Sequence, residues 1–401
     1  MIETYAFILI ALFALFVIYY LATAVRRPQL IASKQNPFRR LIEEQCSIIN
    51  EYYWPTIWCF QAHLISVISN LIRGLFAPNL NFVREYIDTH DGGRITLDWY
   101  VYNQTNPNDD DKTKPIILFI PGIAGNSQAE YLRTLIPIAS KIGYRVASLN
   151  HRGVDGEPIR TGRMYCGADS TDLEQTIKHI RNSNPDCRLI ATGISMGATI
   201  LTGYLVSSGS KSMVDAAFLI SMCWDFMAGK INLTNGPLNR ALNQQLAKSL
   251  VQVVLNNRKW YENDVYDIEH IAQCDTLGKF DRAFTIKMFG FKTIDDYYRA
   301  ATYTDRIDHI RTPTVAINAS DDMICTGDDL PLKMIEESKY VTMVLTKKGG
   351  HIGFIEGLFG SSFFLERFAQ QYFTALYRME STPKKLYEES WNIWNYTKLF
   401  Y

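Results

Sequence analysis

The stretch from Cys187 to Val206, CRLIATGISMGATILTGYLV, limits what this chain can fold into more than any other. Cys187 to Thr192 reads as a short apolar strand, and the small and apolar residues after Gly197 fall at helical spacing. Between them, Gly193-Ile194-Ser195-Met196-Gly197 forms a G-x-S-x-G pattern in strand–turn–helix context. A turn that tight holds its serine at a strained backbone angle. Glycines two residues to either side remove Cβ atoms that would strike the neighbouring strand and helix. The Ser195 hydroxyl then stands above a sheet, at the N-terminus of a helix whose free N–H groups can meet developing negative charge. Ser195 is therefore the candidate nucleophile.

The surrounding sequence supplies the sheet. Phe82 to Ile87 and Arg94 to Tyr102 are strand-like and joined through Asp91-Gly92-Gly93, a hairpin turn signal. Apolar strands at Pro115 to Ile120, Tyr144 to Leu149 and Ala216 to Ser221 alternate with helical runs. Two of those helices open on capping-box patterns, Ser127-x-x-Glu130 and Thr171-x-x-Glu174, and the first stops at Gly143. Uninterrupted apolar strands between helices predict an α/β fold with a mostly parallel sheet covered on both faces. From 222 to about 308 the strands give way to helical patterns, a length that fits a helical cap over the strand ends. Strands resume at Thr312 to Asn318 and Lys339 to Leu345, with a final helix from about Gly360 to Tyr377. The core domain is thus expected over 81–380. The aromatic tail, 381–401, has no functional reading.

A total of 401 residues is enough for one large α/β domain with appendages. Basic and acidic residues balance at 41 each, so no global field draws the chain to nucleic acid. The seven cysteines are scattered without C-x-x-C spacing, which argues against a disulfide framework or a zinc site. No metal or organic cofactor is implied. Residues 5–24, YAFILIALFALFVIYYLATA, carry no charge and match the thickness of a bilayer's hydrocarbon. A cleaved signal peptide is the competing reading, because Ala22-Thr23-Ala24 resembles a cleavage site. The long apolar run and the lack of a positive segment before it favour a signal anchor. The expectation is a single-pass membrane protein of the endoplasmic reticulum or another endomembrane. Arg26, Arg27, Lys34, Arg39 and Arg40 follow the span and place the bulk of the chain in the cytosol. Sequons at Asn103, Asn232, Asn318 and Asn395 allow the opposite topology, so orientation stays open.

Residues 25–80 form an aromatic and amphipathic arm. Its segment NEYYWPTIWCFQAHLISVISNLIRGLF reads either as an interfacial stretch that lies on lipid or as a cover for the core. His63 falls in this arm, with no carboxylate near it in sequence, and reads as structural.

A serine hydroxyl is a poor nucleophile unless a base takes its proton and a carboxylate fixes the tautomer of that base. On a strand–turn–helix serine the partners follow in the order acid, then histidine. His270 lies inside the helical insertion and His309 at its edge. His351 follows a strand closely, in Gly349-Gly350-His351-Ile352-Gly353, where glycines let a loop present the ring. The acid should follow the preceding strand, in Asn318-Ala319-Ser320-Asp321-Asp322. Asp321, three residues past Asn318, is preferred over Asp322. Ser195, Asp321 and His351 then share the carboxyl edge of the sheet, where sites of open α/β sheets gather. An oxyanion hole needs two backbone N–H groups. Met196, after the nucleophile, supplies one, and Ile123 in Pro121-Gly122-Ile123-Ala124-Gly125 supplies the other.

Taken together, these motifs resemble the membrane-anchored, single-pass α/β-hydrolases of the abhydrolase-domain group. The matching pieces include Trp54-Pro55-Thr56-x-Trp58, Pro121-Gly122-Ile123-x-Gly125-x-Ser127, Asn150-His151-Arg152-Gly153, Gly193-x-Ser195-x-Gly197, Tyr297-Tyr298 and Gly349 to Phe354. The chain departs from the family pattern at Pro121, where His is usual, and at Ala198, where Gly is usual. The resemblance implies a phospholipase or carboxylesterase acting on lipid-like esters, among them acylglycerols and medium- or short-chain esters. Some members also transfer acyl groups to alcohols. A silent lipid-binding scaffold is the rival of another class, and the complete Ser, Asp and His argue against it.

Overall fold

The computed structural model describes residues 2–102, 111–262 and 265–379, together with 382, 383 and 385. Its main sheet contains β1 (Gln29–Ile31), β2 (Phe82–Asp88), β3 (Arg94–Tyr100), β4 (Ile116–Ile120), β5 (Arg145–Asn150), β6 (Leu189–Ile194), β7 (Ala216–Ile220), β8 (Thr314–Ala319) and β9 (Val341–Thr346). Their spatial order is β1-β9-β8-β7-β6-β4-β5-β3-β2. The run from β5 through β9 is parallel, and β3, β2 and β1 join antiparallel at the two edges. The helices that matter below are α1 (Ile2–Thr23), α2 (Ala62–Phe76), α3 (Glu130–Ile142), α4 (Thr171–Ser183), α5 (Met196–Ser208), α6 (Gly236–Asn256) and α7 (Phe364–Arg378).

The central strands are mostly apolar because both of their faces are covered. Side chains alternate across a strand, so Ile117 and Phe119 of β4 join one core with Leu132 and Leu135 of α3 and Phe373 of α7. Ile116, Leu118 and Ile120 point the other way, into a second core with Leu173 and Ile177 of α4 and Leu201 of α5. Phe218 of β7 packs against Phe368, Tyr372 and Phe373 of α7 with ring centroids 5.2 to 5.9 Å apart. Each such ring buried contributes about 1.5–3 kcal/mol. Pairing of Ile120 with Gly193, and of Ile194 with Ile220, brings the carboxyl ends of β4, β6 and β7 level.

The structure corrects several local expectations. Strand β6 ends at Ile194, two residues beyond the expected Thr192, so the turn begins at the serine itself. Neither capping box forms. Ser127 donates its hydroxyl to Asp98 and its N–H to Asn150, at 2.6 and 2.8 Å, and α3 starts later with Ala129 as its cap. Thr171 bonds Asp169 instead of capping α4. The segment after α1 is also more deeply built in than an arm laid over the core. β1 pairs with β9, and Phe38, Ile42 and Tyr53 belong to the core under α7. Between β7 and β8 the described residues hold helices and no strand of the sheet, as expected for a cap. The polar loop at 103–110 and most of the tail from 381 lie outside the described residues.

Helix α1 is long and apolar enough over Glu3–Thr23 to cross a membrane, and almost none of it is buried in the protein. Its last turn is held by the segment that follows. Tyr20 donates its hydroxyl to the Pro55 carbonyl at 2.6 Å, and its ring stands 5.4 Å from that of Phe60.

Candidate active site

Ser195 sits at the junction of β6 and α5 with φ 54° and ψ −118°, a backbone angle strained for any residue with a Cβ. Its N–H is tied to the Ile220 carbonyl at 2.8 Å. Both flanking glycines are needed for contact rather than for freedom. A Cβ on Gly193 would stand 2.5 Å from the Ala198 Cα, and one on Gly197 only 2.1 Å from the Ile120 carbonyl oxygen.

His351 Nε2 lies 2.8 Å from Ser195 Oγ, and its Nδ1 lies 2.8 Å from Oδ2 of Asp322. The carboxylate only accepts, so Nδ1 carries the proton and Nε2 is left to receive one from the serine. The acid in this position is Asp322, not the Asp321 preferred from spacing. The reason is the end of β8. The strand runs to Ala319, paired with Thr346, one residue beyond the expected Asn318, so the turn starts later. The Asp322 N–H then bonds back to the Ala319 carbonyl and its side chain points inward, fully buried, with Oδ1 accepting the Ile324 N–H at 2.8 Å. Asp321 faces the loop instead. Its Oδ1 accepts the Gly350 N–H at 3.0 Å, and its Oδ2 lies 3.5 Å from Lys348 Nζ. Burial pushes its carboxyl above the usual range.

The histidine loop is held from the N-terminal segment, 285 residues earlier in the chain. The His351 N–H donates to Ser66 Oγ of α2 at 2.8 Å, and the Ile352 N–H donates to Ser221 Oγ at 3.1 Å. Arg73 of α2 is buried; Nη1 donates to the Ile352 carbonyl at 2.9 Å, Nη2 to the Gly353 carbonyl at 3.1 Å, and Nε and Nη2 pair with the Glu366 carboxylate of α7. Ile352 and Phe354 are kept at φ 65° and 48°, strain that these bonds hold in place. The approach of α2 explains Gly350, where a Cβ would come within 2.5 Å of the Ala62 carbonyl.

On the other side of Ser195 the loop Pro121 to Gly125 is fixed by two tyrosines. The Gly122 N–H donates to Tyr131 at 2.9 Å and the Ala124 N–H to Tyr165 at 2.8 Å. The N–H between them, on Ile123, has no hydrogen bond among the described residues, and the same holds for Met196 at the start of α5. His151 bonds the Pro121 carbonyl at 2.9 Å and stacks on Tyr165, centroids 4.1 Å apart. Burial lowers its pKa to about 4, so it is neutral and Nε2 is the donor. Sequence reading gave Tyr131, Tyr165 and His151 no role in the site. The position of His151 just past β5, on the same sheet edge, is the one signal that could have placed it. His63 meets Gln61 and Asn239 rather than the serine, and His270 and His309 have no contact with it.

Two cavities meet at Ser195. The smaller, about 190 Å³, runs under the cap and is lined by Met196, Phe226, Leu250, Leu277, Tyr297 and Asp281 among others. The Asp281 carboxyl, accepting hydrogen bonds from Thr285 and Tyr298, is pushed by burial up to about 6. The larger, about 740 Å³, lies between α2 and α6 and includes His351 and Ile123 in its wall.

Residues 115–358 match the alpha/beta hydrolase fold family. The chain is 34% identical over 360 residues to the human protein named Phospholipase ABHD3, covering 89% of this chain and 87% of that one. It is 28% identical over 332 residues to the Saccharomyces cerevisiae Monoacylglycerol lipase, covering 80% and 73%. With the yeast Medium-chain fatty acid ethyl ester synthase/esterase 2 it shares 27% over 264 residues, covering 60% and 58%. A mostly parallel sheet, a serine on the turn after its central strand and these matches agree: the chain belongs to the α/β-hydrolase fold family, in its abhydrolase-domain phospholipase group, and is a carboxylic ester hydrolase.

Proposed function

We propose that the chain hydrolyses lipid-like carboxylic esters through an acyl-enzyme on Ser195, with His351 as the general base and acid and Asp322 as the carboxylate that orients it. The observation that carries this is the unbroken pair of 2.8 Å contacts from Ser195 to His351 to Asp322, at the point where the two cavities meet. Ser195 Oγ attacks the acyl carbon while His351 Nε2 takes its proton. The carbonyl oxygen becomes an oxyanion between the N–H groups of Ile123 and Met196, each such donor being worth about 2.7–4 kcal/mol in the transition state. Collapse breaks the bond to the alcohol, and His351 passes its proton to that oxygen. Water then repeats the sequence on the acyl-enzyme, releasing the acid and restoring Ser195.

The apolar wall of the smaller cavity supports an acyl chain as its occupant, and the larger cavity has room for the head of the ester. The names of the human and yeast relatives, a phospholipase and a monoacylglycerol lipase, support the same class of substrate. We read α1 as a single-pass membrane anchor, which keeps the enzyme beside insoluble substrate. The test is fatty-acid release by the detergent-solubilised full chain from phosphatidylcholine, monoacylglycerol and p-nitrophenyl esters. Release from none of them by folded protein refutes the proposal. The yeast ester synthase favours a second reading, transfer of the acyl group to an alcohol. Ethyl ester formed in the same assay with added ethanol distinguishes it from hydrolysis alone.

A further inference from the structure

We propose that the outer face of α2, with the loop at Leu358 and Phe359, rests on the lipid surface beside α1 and admits substrate from the bilayer into the larger cavity. This rests on the reading of the chain as a hydrolase of lipid esters. Helix α2 carries a single charged residue, Arg73, and that one is buried against Glu366 and the histidine loop. Its inner side is Ile65, Ser69 and Arg73. Its outer side is Leu64, Val67, Leu71, Leu75 and Phe76, with exposures from 50% to 79%, alongside the uncharged Asn70 and Gly74. A helix facing water places charge on that side; a helix lying on lipid has no use for it.

The stripe does not end with the helix. Phe359 is 81% exposed and Leu358 63%, and Trp58 Nε1 donates to the Leu358 carbonyl at 2.9 Å. A Cβ on the next residue, Gly360, would stand 3.5 Å from Cδ1 of Ile72 on α2, so the loop and the helix form one surface. That surface is continuous with the root of α1. Phe60, two residues before α2, contacts the rings of Phe16, Tyr19 and Tyr20 at centroid distances of 5.4 to 6.0 Å. Trp54 and Trp58 are each about half exposed beside it, the residue type that seats at the boundary of a membrane. The other end of the stripe reaches the site. Val67, Asn70 and Ser66 line the larger cavity together with Ser195 and His351. An anchored α1, the uncharged outer face of α2 and the cavity mouth therefore follow one another along a single face, and the occupant that fits all three is the bilayer that holds α1.

The test uses the full chain in phosphatidylcholine proteoliposomes and two independent readouts. In the first, a benzoylphenylalanine photo-crosslinker replaces Leu71. Attachment to lipid is expected, and attachment only to a second copy of the chain, or to neither, overturns the proposal. In the second, Leu71→Asp with Leu75→Asp, neither of which lines the cavities, is compared with the parent. Hydrolysis of an ester carried in the bilayer should fall at least tenfold, while hydrolysis of a water-soluble p-nitrophenyl ester stays within twofold. A fall in both rates, or in neither, overturns the route from the bilayer. If the parent hydrolyses no ester at all, it is the hydrolase reading that fails, and the crosslink still decides whether α2 meets lipid.

Discussion

Exchanging the two neighbouring aspartates one at a time should separate them by orders of magnitude. In Asp322→Asn the amide oxygen stays where Oδ1 now accepts the Ile324 N–H, because that backbone donor has no other partner in the turn. The amide nitrogen then faces His351 Nδ1. Two donors cannot face each other, so the ring gives up its Nδ1 proton and carries one on Nε2, where it can no longer receive the proton of Ser195. Wrong-tautomer substitutions of this kind lower kcat by about 10⁴, or roughly 5.5 kcal/mol in the barrier. Asp321→Asn keeps an oxygen for the Gly350 N–H and loses only a 3.5 Å pairing with partly exposed Lys348. That interaction is worth up to about 1 kcal/mol, at most fivefold in rate. The assay is kcat/KM on a soluble p-nitrophenyl ester, with a thermal melt to show that both variants are folded. A loss in Asp321→Asn equal to that in Asp322→Asn, or an Asp322→Asn rate within tenfold of the parent, refutes the reasoning.

Other consequences follow from the buried groups. Arg73→Ala leaves Glu366 without its cationic partner in the core and frees two loop carbonyls, and should cost about 3–5 kcal/mol, read as a lowered melting temperature. The double change Arg73→Met with Glu366→Leu should recover most of that loss, and no recovery would show that the loop contacts dominate. Asp281 is raised from 3.8 to about 6 by burial, so its ionised form is disfavoured in the fold and the penalty is present above pH 6. The shift corresponds to about 3 kcal/mol, a penalty removed as pH falls from 6 towards 3.8. Asp281→Asn should therefore melt higher than the parent at pH 8, with the gap closing near pH 4; a constant gap across that range contradicts this.

The sequence was most legible where structure is decided by neighbours. The strands β4 to β9 stand out because burial on both faces leaves them mostly apolar, and the glycines around Ser195 mark positions where a Cβ would come within 2.1 and 2.5 Å of neighbouring atoms. The order of serine, acid and histidine located the sheet edge. Spacing points to Asp321 while Asp322 meets His351, because the difference depends on the last residue of β8, and a pairing as local as Ala319 with Thr346 leaves no mark on composition. Ser127 departs from its local pattern for a different reason. Its pattern is a proper capping box, yet Asp98 and Asn150 from distant strands compete for it and win. The same holds for the N-terminal segment. Arg73 is separated by 293 residues from Glu366 and by 279 from Ile352, so its part in fixing the histidine loop is a property of the fold alone. β1, three residues long, is too short for any periodicity to declare it.

The central claim is that Ser195 is an activated nucleophile. A fluorophosphonate probe applied to the detergent-solubilised full chain, beside Ser195→Ala, tests it most directly, because the probe needs the serine, its base and the oxyanion donors but no knowledge of the substrate. The account predicts stoichiometric labelling of the parent and none of the variant, with equal melting temperatures. A folded parent that stays unlabelled, or a Ser195→Ala protein that labels as well as the parent, contradicts it.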